Sequence, residues 1–93
     1  MEFEWDPQKA AKNLRKHKVS FNEAATVFDD PLSVTVTDPD HSAEEDRFII
    51  VGQSYRRRLL IVSFAERGDH IRIISARELT PAERRAYEKE IYE

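Results

Sequence analysis

Apolar positions along this chain change their period several times, and each change marks an element. Phe3 and Trp5 alternate with Glu2 and Glu4, the two-residue period of a short, half-buried strand over residues 1–5. Asp6-Pro7 ends that strand and opens a helix: the aspartate caps free N–H groups and proline suits the first turn. Ala10, Ala11 and Leu14 then fall on one helical stripe, which predicts a helix from Pro7 to His17. Ser20-Phe21-Asn22-Glu23 has the spacing of a capping box, with Val19 just ahead of the cap placed to pack on Ala24. The second helix is short, burying Ala24, Ala25, Val27 and Phe28 before Asp29-Asp30-Pro31 stops it.

Beyond Pro31 the period returns to two. Leu32, Val34 and Val36 alternate with Ser33, Thr35 and Thr37, so one face of this strand is polar. A hydrophilic loop, Asp38 to Asp46, leads to three β-prone runs, Arg47 to Gln53, Arg58 to Ala65 and His70 to Ala76. Their connections, Ser54 to Arg57 and Glu66 to Asp69, suit hairpins and are too short for parallel crossovers, which predicts an antiparallel meander. Thr80-Pro81-Ala82-Glu83 is a second capping box, opening a last helix that runs to about Tyr92. The order β-α-α-β-β-β-β-α describes one α+β domain over residues 1–93: a four-stranded antiparallel meander with an extra N-terminal strand, two N-terminal helices and one C-terminal helix.

Composition narrows the chemistry. The chain has no cysteine, and its three histidines have no zinc-like spacing, so the expectation is chemistry without a metal or cofactor. The longest apolar run, Leu59 to Ala65, is far short of a membrane span, and the acidic start Met-Glu-Phe-Glu-Trp-Asp is unlike a signal peptide; the expected address is cytoplasmic. The formal net charge of −3 hides an asymmetry. Residues 1–46 carry five basic against eleven acidic side chains, whereas residues 47–93 carry ten against seven, and nine of those ten are arginine. A guanidinium offers a planar fork of donors that matches phosphate oxygens, so the second half points to an anionic target, although arginines also serve simply to solvate the outer faces of strands.

Taken together, Phe3-Glu4-Trp5-Asp6-Pro7, the run Asn13 to Phe21, Glu23-Ala24, Val27-Phe28, Asp30-Pro31, Asp40-His41-Ser42 with Glu45 and Arg47, Ile71 to Arg77, Glu83-Arg84 and Tyr87-Glu88 resemble the BrnT family of toxins over nearly the whole chain. The resemblance implies a RelE-like fold and ribonuclease activity. It also implies a partner, a ribbon-helix-helix antitoxin of the BrnA type, through which any contact with promoter DNA would mainly run. The chain departs from the family pattern at Lys18 and Arg57, where glycine is usual and where another residue must avoid or tolerate a left-handed backbone.

Metal-free RNA cleavage needs activation of the 2′-hydroxyl, stabilisation of charge on the phosphorane and a proton for the leaving 5′-oxygen. Arg47, Arg58, Arg72 and Arg77 lie in or at the ends of predicted strands, where a rigid sheet would converge them on one phosphate. Tight hairpins would put Arg47 and Arg72 on one face, and a one-residue slip would separate them. For proton transfer the candidates are His41, favoured because histidine has a reference pKa near ~6.5, Glu45, better suited to orienting arginines, and a tyrosine. Tyr55, Arg56, Arg57 and Arg84 are candidates for binding RNA by stacking or charge. His17 and His70 rank lower, His17 because the end of a helix already favours a cation there. An arginine-rich face also suits a module that binds nucleic acid or a partner without cutting, as a co-repressor subunit does, and charge alone does not separate the two.

Overall fold

The computed structural model describes residues 1–39 and 46–92. The chain forms β1 (Glu2–Glu4), α1 (Pro7–His17), α2 (Phe21–Thr26) ending in a 3₁₀ turn (Val27–Asp29), β2 (Val34–Thr37), β3 (Arg47–Gln53), β4 (Leu59–Arg67), β5 (His70–Glu78) and α3 (Pro81–Tyr92). The expected α+β fold is found, with the meander β2-β3-β4-β5 antiparallel throughout and β1 added beside β5 in parallel, giving the order β1-β5-β4-β3-β2. No helix among the described residues is long and apolar enough to cross a membrane.

Local chemistry explains the boundaries. Asp6 accepts the N–H of Gln8 at 2.8 Å and Ser20 accepts that of Glu23 at 3.0 Å, so both expected caps form. The second capping box is complete, with Glu83 N–H donating to Thr80 Oγ1 at 3.2 Å and Thr80 N–H to Glu83 Oε1 at 2.8 Å. At Ser20 the box is half made, because the Glu23 carboxylate turns inward to Arg58 and Ser54 instead of back to the cap. The second strand starts at Val34, two residues later than its alternation suggests. Asp30 takes the Leu32 N–H with its side chain and the Ser33 N–H with its carbonyl, folding residues 30–33 into a turn. That turn lies against Gly52 of β3, where a Cβ would stand 2.9 Å from the Cβ of Ser33.

One face of the sheet carries the core. Ile50 of β3, Leu60, Val62 and Phe64 of β4, and Ile71, Ile73 and Ala76 of β5 pack under Val19, Phe21, Ala24 and Val27 from the helical layer. Phe28 joins the two layers edge-on, with ring centroids 5.1 Å from Phe3 and 4.9 Å from Phe64, and Trp5 meets Phe21 at 5.9 Å. Helix α1 lies along the part of the β5 edge that β1 does not cover. There the buried Asn13 side chain donates to the carbonyls of Ala76 (2.8 Å) and Val19 (2.9 Å) and accepts the Ala76 N–H (3.1 Å), standing in for a missing strand.

Candidate functional site

The opposite face of the sheet, away from α2, carries three of the candidate arginines, Arg47, Arg72 and Arg77. Strict alternation would put residues 72 and 77 on opposite faces. Between the pairs Ser63–Ser75 and Phe64–Ile73, however, Ile74 is an extra residue, a β-bulge that reverses the phase of the strand. Ile71 and Ile73 before the bulge and Ala76 after it therefore all enter the core, and Arg72 and Arg77 both emerge on the open face.

Register orders this face into rows. Arg47, Ala65 and Arg72 stand side by side, so the two arginines share a face as tight hairpins require, two strands or ~10 Å apart. The next row holds Ile49, Ser63 and Ser75, and the one beyond it Val51, Ile61 and Arg77. Each arginine row is ~7 Å along the strands from the serine row, within reach of an extended side chain. Above the serines is an open cleft of about 270 Å³ lined by Ile49, Ile61, Ser63, Ser75, Arg77 and, from the end of α1, His17.

Arg77 is held in place. Its guanidinium grips Glu83 of α3 with two parallel bonds, 2.8 and 3.0 Å, and donates to the carbonyl of Glu78 at 3.1 Å. The Arg77 bonds, helped by the Thr80 N–H, hold the Glu83 carboxyl down at about 2. A carboxylate thus occupies the donor fork that a phosphate would use.

Arg58 does not join the other three arginines. It lies on the helical side, where it grips the buried Glu23 carboxylate with two donors, reaches the carbonyl of Lys18 at 3.0 Å and stands 3.6 Å from Glu78. Those bonds outweigh the effect of burial and lower the Glu23 pKa, and Ser54 Oγ adds a bond at 2.7 Å. Convergence of all four arginines on one phosphate is therefore not what the sheet provides, because Arg58 precedes Leu59, the first outward residue of β4, and so falls on the inner side.

The remaining described candidates lie at the end of the sheet that carries Arg77 and Arg58. Tyr55, Arg56 and Arg57 form the exposed tip of the β3–β4 hairpin, with Arg56 3.8 Å from Glu23 and Arg57 at φ 63°. Arg84 pairs with Glu88 at 3.3 Å and lines a separate small cleft beneath α3. His41 and Glu45 lie outside the described residues. Two features escaped the sequence reading: the Ser63–Ser75 pair and the place of His17 in the cleft. The Ile73-Ile74 doublet is their signal, since two adjacent aliphatics in an alternating strand mark a bulge, as is the i, i+4 spacing of Asn13 and His17 on α1.

The architecture is an α+β fold with a mixed five-stranded sheet, α2 over one face and an open cleft bordered by Arg77 and His17 on the other. The crystal structure of the ribonuclease toxin BrnT from Brucella abortus superposes with a TM-score of 0.64 at 22% sequence identity, covering 86% of this chain and 97% of that one. The sequence pattern of the family described as ribonuclease toxin, BrnT, of type II toxin-antitoxin system matches residues 5–83, and the chain belongs to that family. No curated protein matches the sequence.

Proposed function

We propose that this protein is a metal-independent endoribonuclease whose active face is the bulge-set surface of Arg47, Arg72 and Arg77 around the Ser63–Ser75 pair, with His17 as a proton-transfer group. The carrying observation is the bulge at Ile74, which puts Arg72 and Arg77 on one side of β5, with Arg77 in the lining of the cleft. A scissile phosphate over the serine row is within reach of extended Arg47 and Arg72 side chains and of the Arg77 N–H groups not taken by Glu83, with hydroxyl donors beneath. These donors favour the charge that builds on the phosphorane. The 2′-oxygen attacks phosphorus as its proton passes to a base, the P–O5′ bond breaks, and the 5′-oxygen takes a proton, leaving a 2′,3′-cyclic phosphate and a 5′-hydroxyl.

Imidazole suits either proton transfer near neutral pH, and His17 lines the cleft. His41, with Glu45 as an orienter, supplies the second group in this reading; their segment joins Pro39 to Asp46, beside Arg47, whose carbonyl accepts the Asp38 N–H at 3.0 Å. Arg58 is left to the Glu23 pair. Tyr55, Arg56, Arg57 and Arg84 are assigned to contacts with flanking RNA. Cleavage of cellular RNA in the cytoplasm then inhibits translation, and the family supports a BrnA-like ribbon-helix-helix antitoxin as the neutralising partner, which carries the main contact with promoter DNA.

The test is cleavage of a labelled, protein-free RNA in excess EDTA, beside folded Arg72→Ala, Arg77→Ala, His17→Ala and His41→Ala variants. Cyclic-phosphate ends from the wild type, with rates falling about 100-fold or more in each arginine variant, are expected. Intact RNA with the wild type, both alone and on translating ribosomes, would instead favour a non-catalytic binding module.

A further inference from the structure

We infer that Lys9, Lys12 and Lys16 of α1 form a track for the RNA backbone leading to the cleft at Arg77 and His17, an inference that rests on the ribonuclease reading. All five basic residues of the first 46 stand between Lys9 and Lys18, and no acid occurs from Pro7 to Asn22. The helix dipole accounts for Arg15 and Lys16 in the last turn, where cations are stabilised. It opposes Lys9 in the first turn, which holds no acid, and gives no reason for Lys12 at mid-helix. Two lysines that the dipole does not explain point to a use outside the helix.

Their direction follows from the contacts of α1. Ala10, Asn13 and His17 face the sheet, and Ala11 and Leu14 form the flank that meets Phe21 and Asn22 of α2. At 100° per residue, Lys9, Lys12 and Lys16 fall within a 60° arc on the other flank, the side of the open sheet face. All three are exposed, and none has a carboxylate partner among the described residues. The row is ~10 Å long and ends one residue before His17, so a backbone lying along it arrives at the cleft. The molecule, acidic overall, thereby presents RNA with one continuous cationic path, from α1 to Arg77 and on to Arg72 and Arg47.

Binding of a short, fully 2′-O-methylated, fluorescently labelled RNA to the full-length chain tests this, read as the slope of log Kd against log of KCl concentration. Release of three phosphate contacts makes the slope shallower by about 2 in the Lys9→Gln/Lys12→Gln/Lys16→Gln variant, and affinity falls with it. The matching triple arginine variant keeps the charge and retains the wild-type slope. An unchanged slope in the glutamine variant overturns the track. So does a glutamine variant that binds RNA normally but loses inhibition by the antitoxin, which would make the row a protein contact. The two readings fail separately: cleavage by the wild type that depends on Arg72, combined with an unchanged glutamine slope, removes only the track, whereas a wild type that neither binds nor cuts RNA removes both.

Discussion

Lys18 and Arg57 share a backbone problem, at φ 60° and 63°. Lys18 ends α1 as its left-handed cap, its N–H donating to the Leu14 carbonyl at 3.0 Å. Arg57 closes the β3–β4 hairpin by donating to the Ser54 carbonyl at 2.9 Å, the left-handed place in a three-residue loop that glycine usually fills. Both are positions at which the resemblance noted in the sequence leads one to expect glycine. The left-handed region costs a side-chain-bearing residue roughly 1–2 kcal/mol, partly recovered because glycine has more freedom to lose on folding. Lys18→Gly and Arg57→Gly are therefore each expected to stabilise by about 0.5–1 kcal/mol in urea unfolding. Destabilisation by either would show that the charge at that site outweighs the strain.

At the scale of elements, α1 and β5 are fastened by Asn13. Replacing it with alanine leaves the Ala76 N–H and the carbonyls of Ala76 and Val19 buried without that side chain, at a cost of about 3 kcal/mol measured as a fall in the urea midpoint. The helix then loosens at the end that carries His17, and exchange of the Ala76 amide is expected to rise before that of the β4 core. Helix caps, turns and strands were readable in the sequence because each rests on neighbours within a few residues: Asp6, Ser20 and Thr80 all cap as their spacing requires. Partners distant along the chain were not. Nothing local says that Glu23 leaves its cap for a residue 35 positions away, and with it Arg58 leaves the open face. The parity of Arg72 and Arg77 likewise depends on one inserted residue, which a period-two reading of β5 passes over.

For the whole molecule, α3 stands apart from the body it follows. Every fully buried apolar side chain lies between Val19 and Ala76, and within α3 only Glu83 and Tyr87 are partly buried among the described side chains. It is attached where the Tyr87 hydroxyl donates to the Leu32 carbonyl at 3.0 Å, and where Glu83 sits in the fork of Arg77. The second is titratable. With its folded pKa lowered to about 2 from an ordinary 4.5, Glu83 contributes its stabilisation fully above about pH 4.5 and loses it as pH falls through 2. Amides of α3 should lose exchange protection over that interval. Because the Glu23 carboxyl is also held low and titrates in acid, the decisive comparison is Glu83→Gln at neutral pH. That variant removes the charge and one of the two acceptors that Arg77 grips, while its amide oxygen still takes the Thr80 N–H, so α3 is expected to fray while the β4 and β5 amides keep their protection. It also frees the Arg77 fork for a phosphate, and under the ribonuclease reading RNA affinity rises even as the helix loosens. Fraying without any gain in RNA affinity would mean that Glu83 holds Arg77 in its working position rather than competing for it.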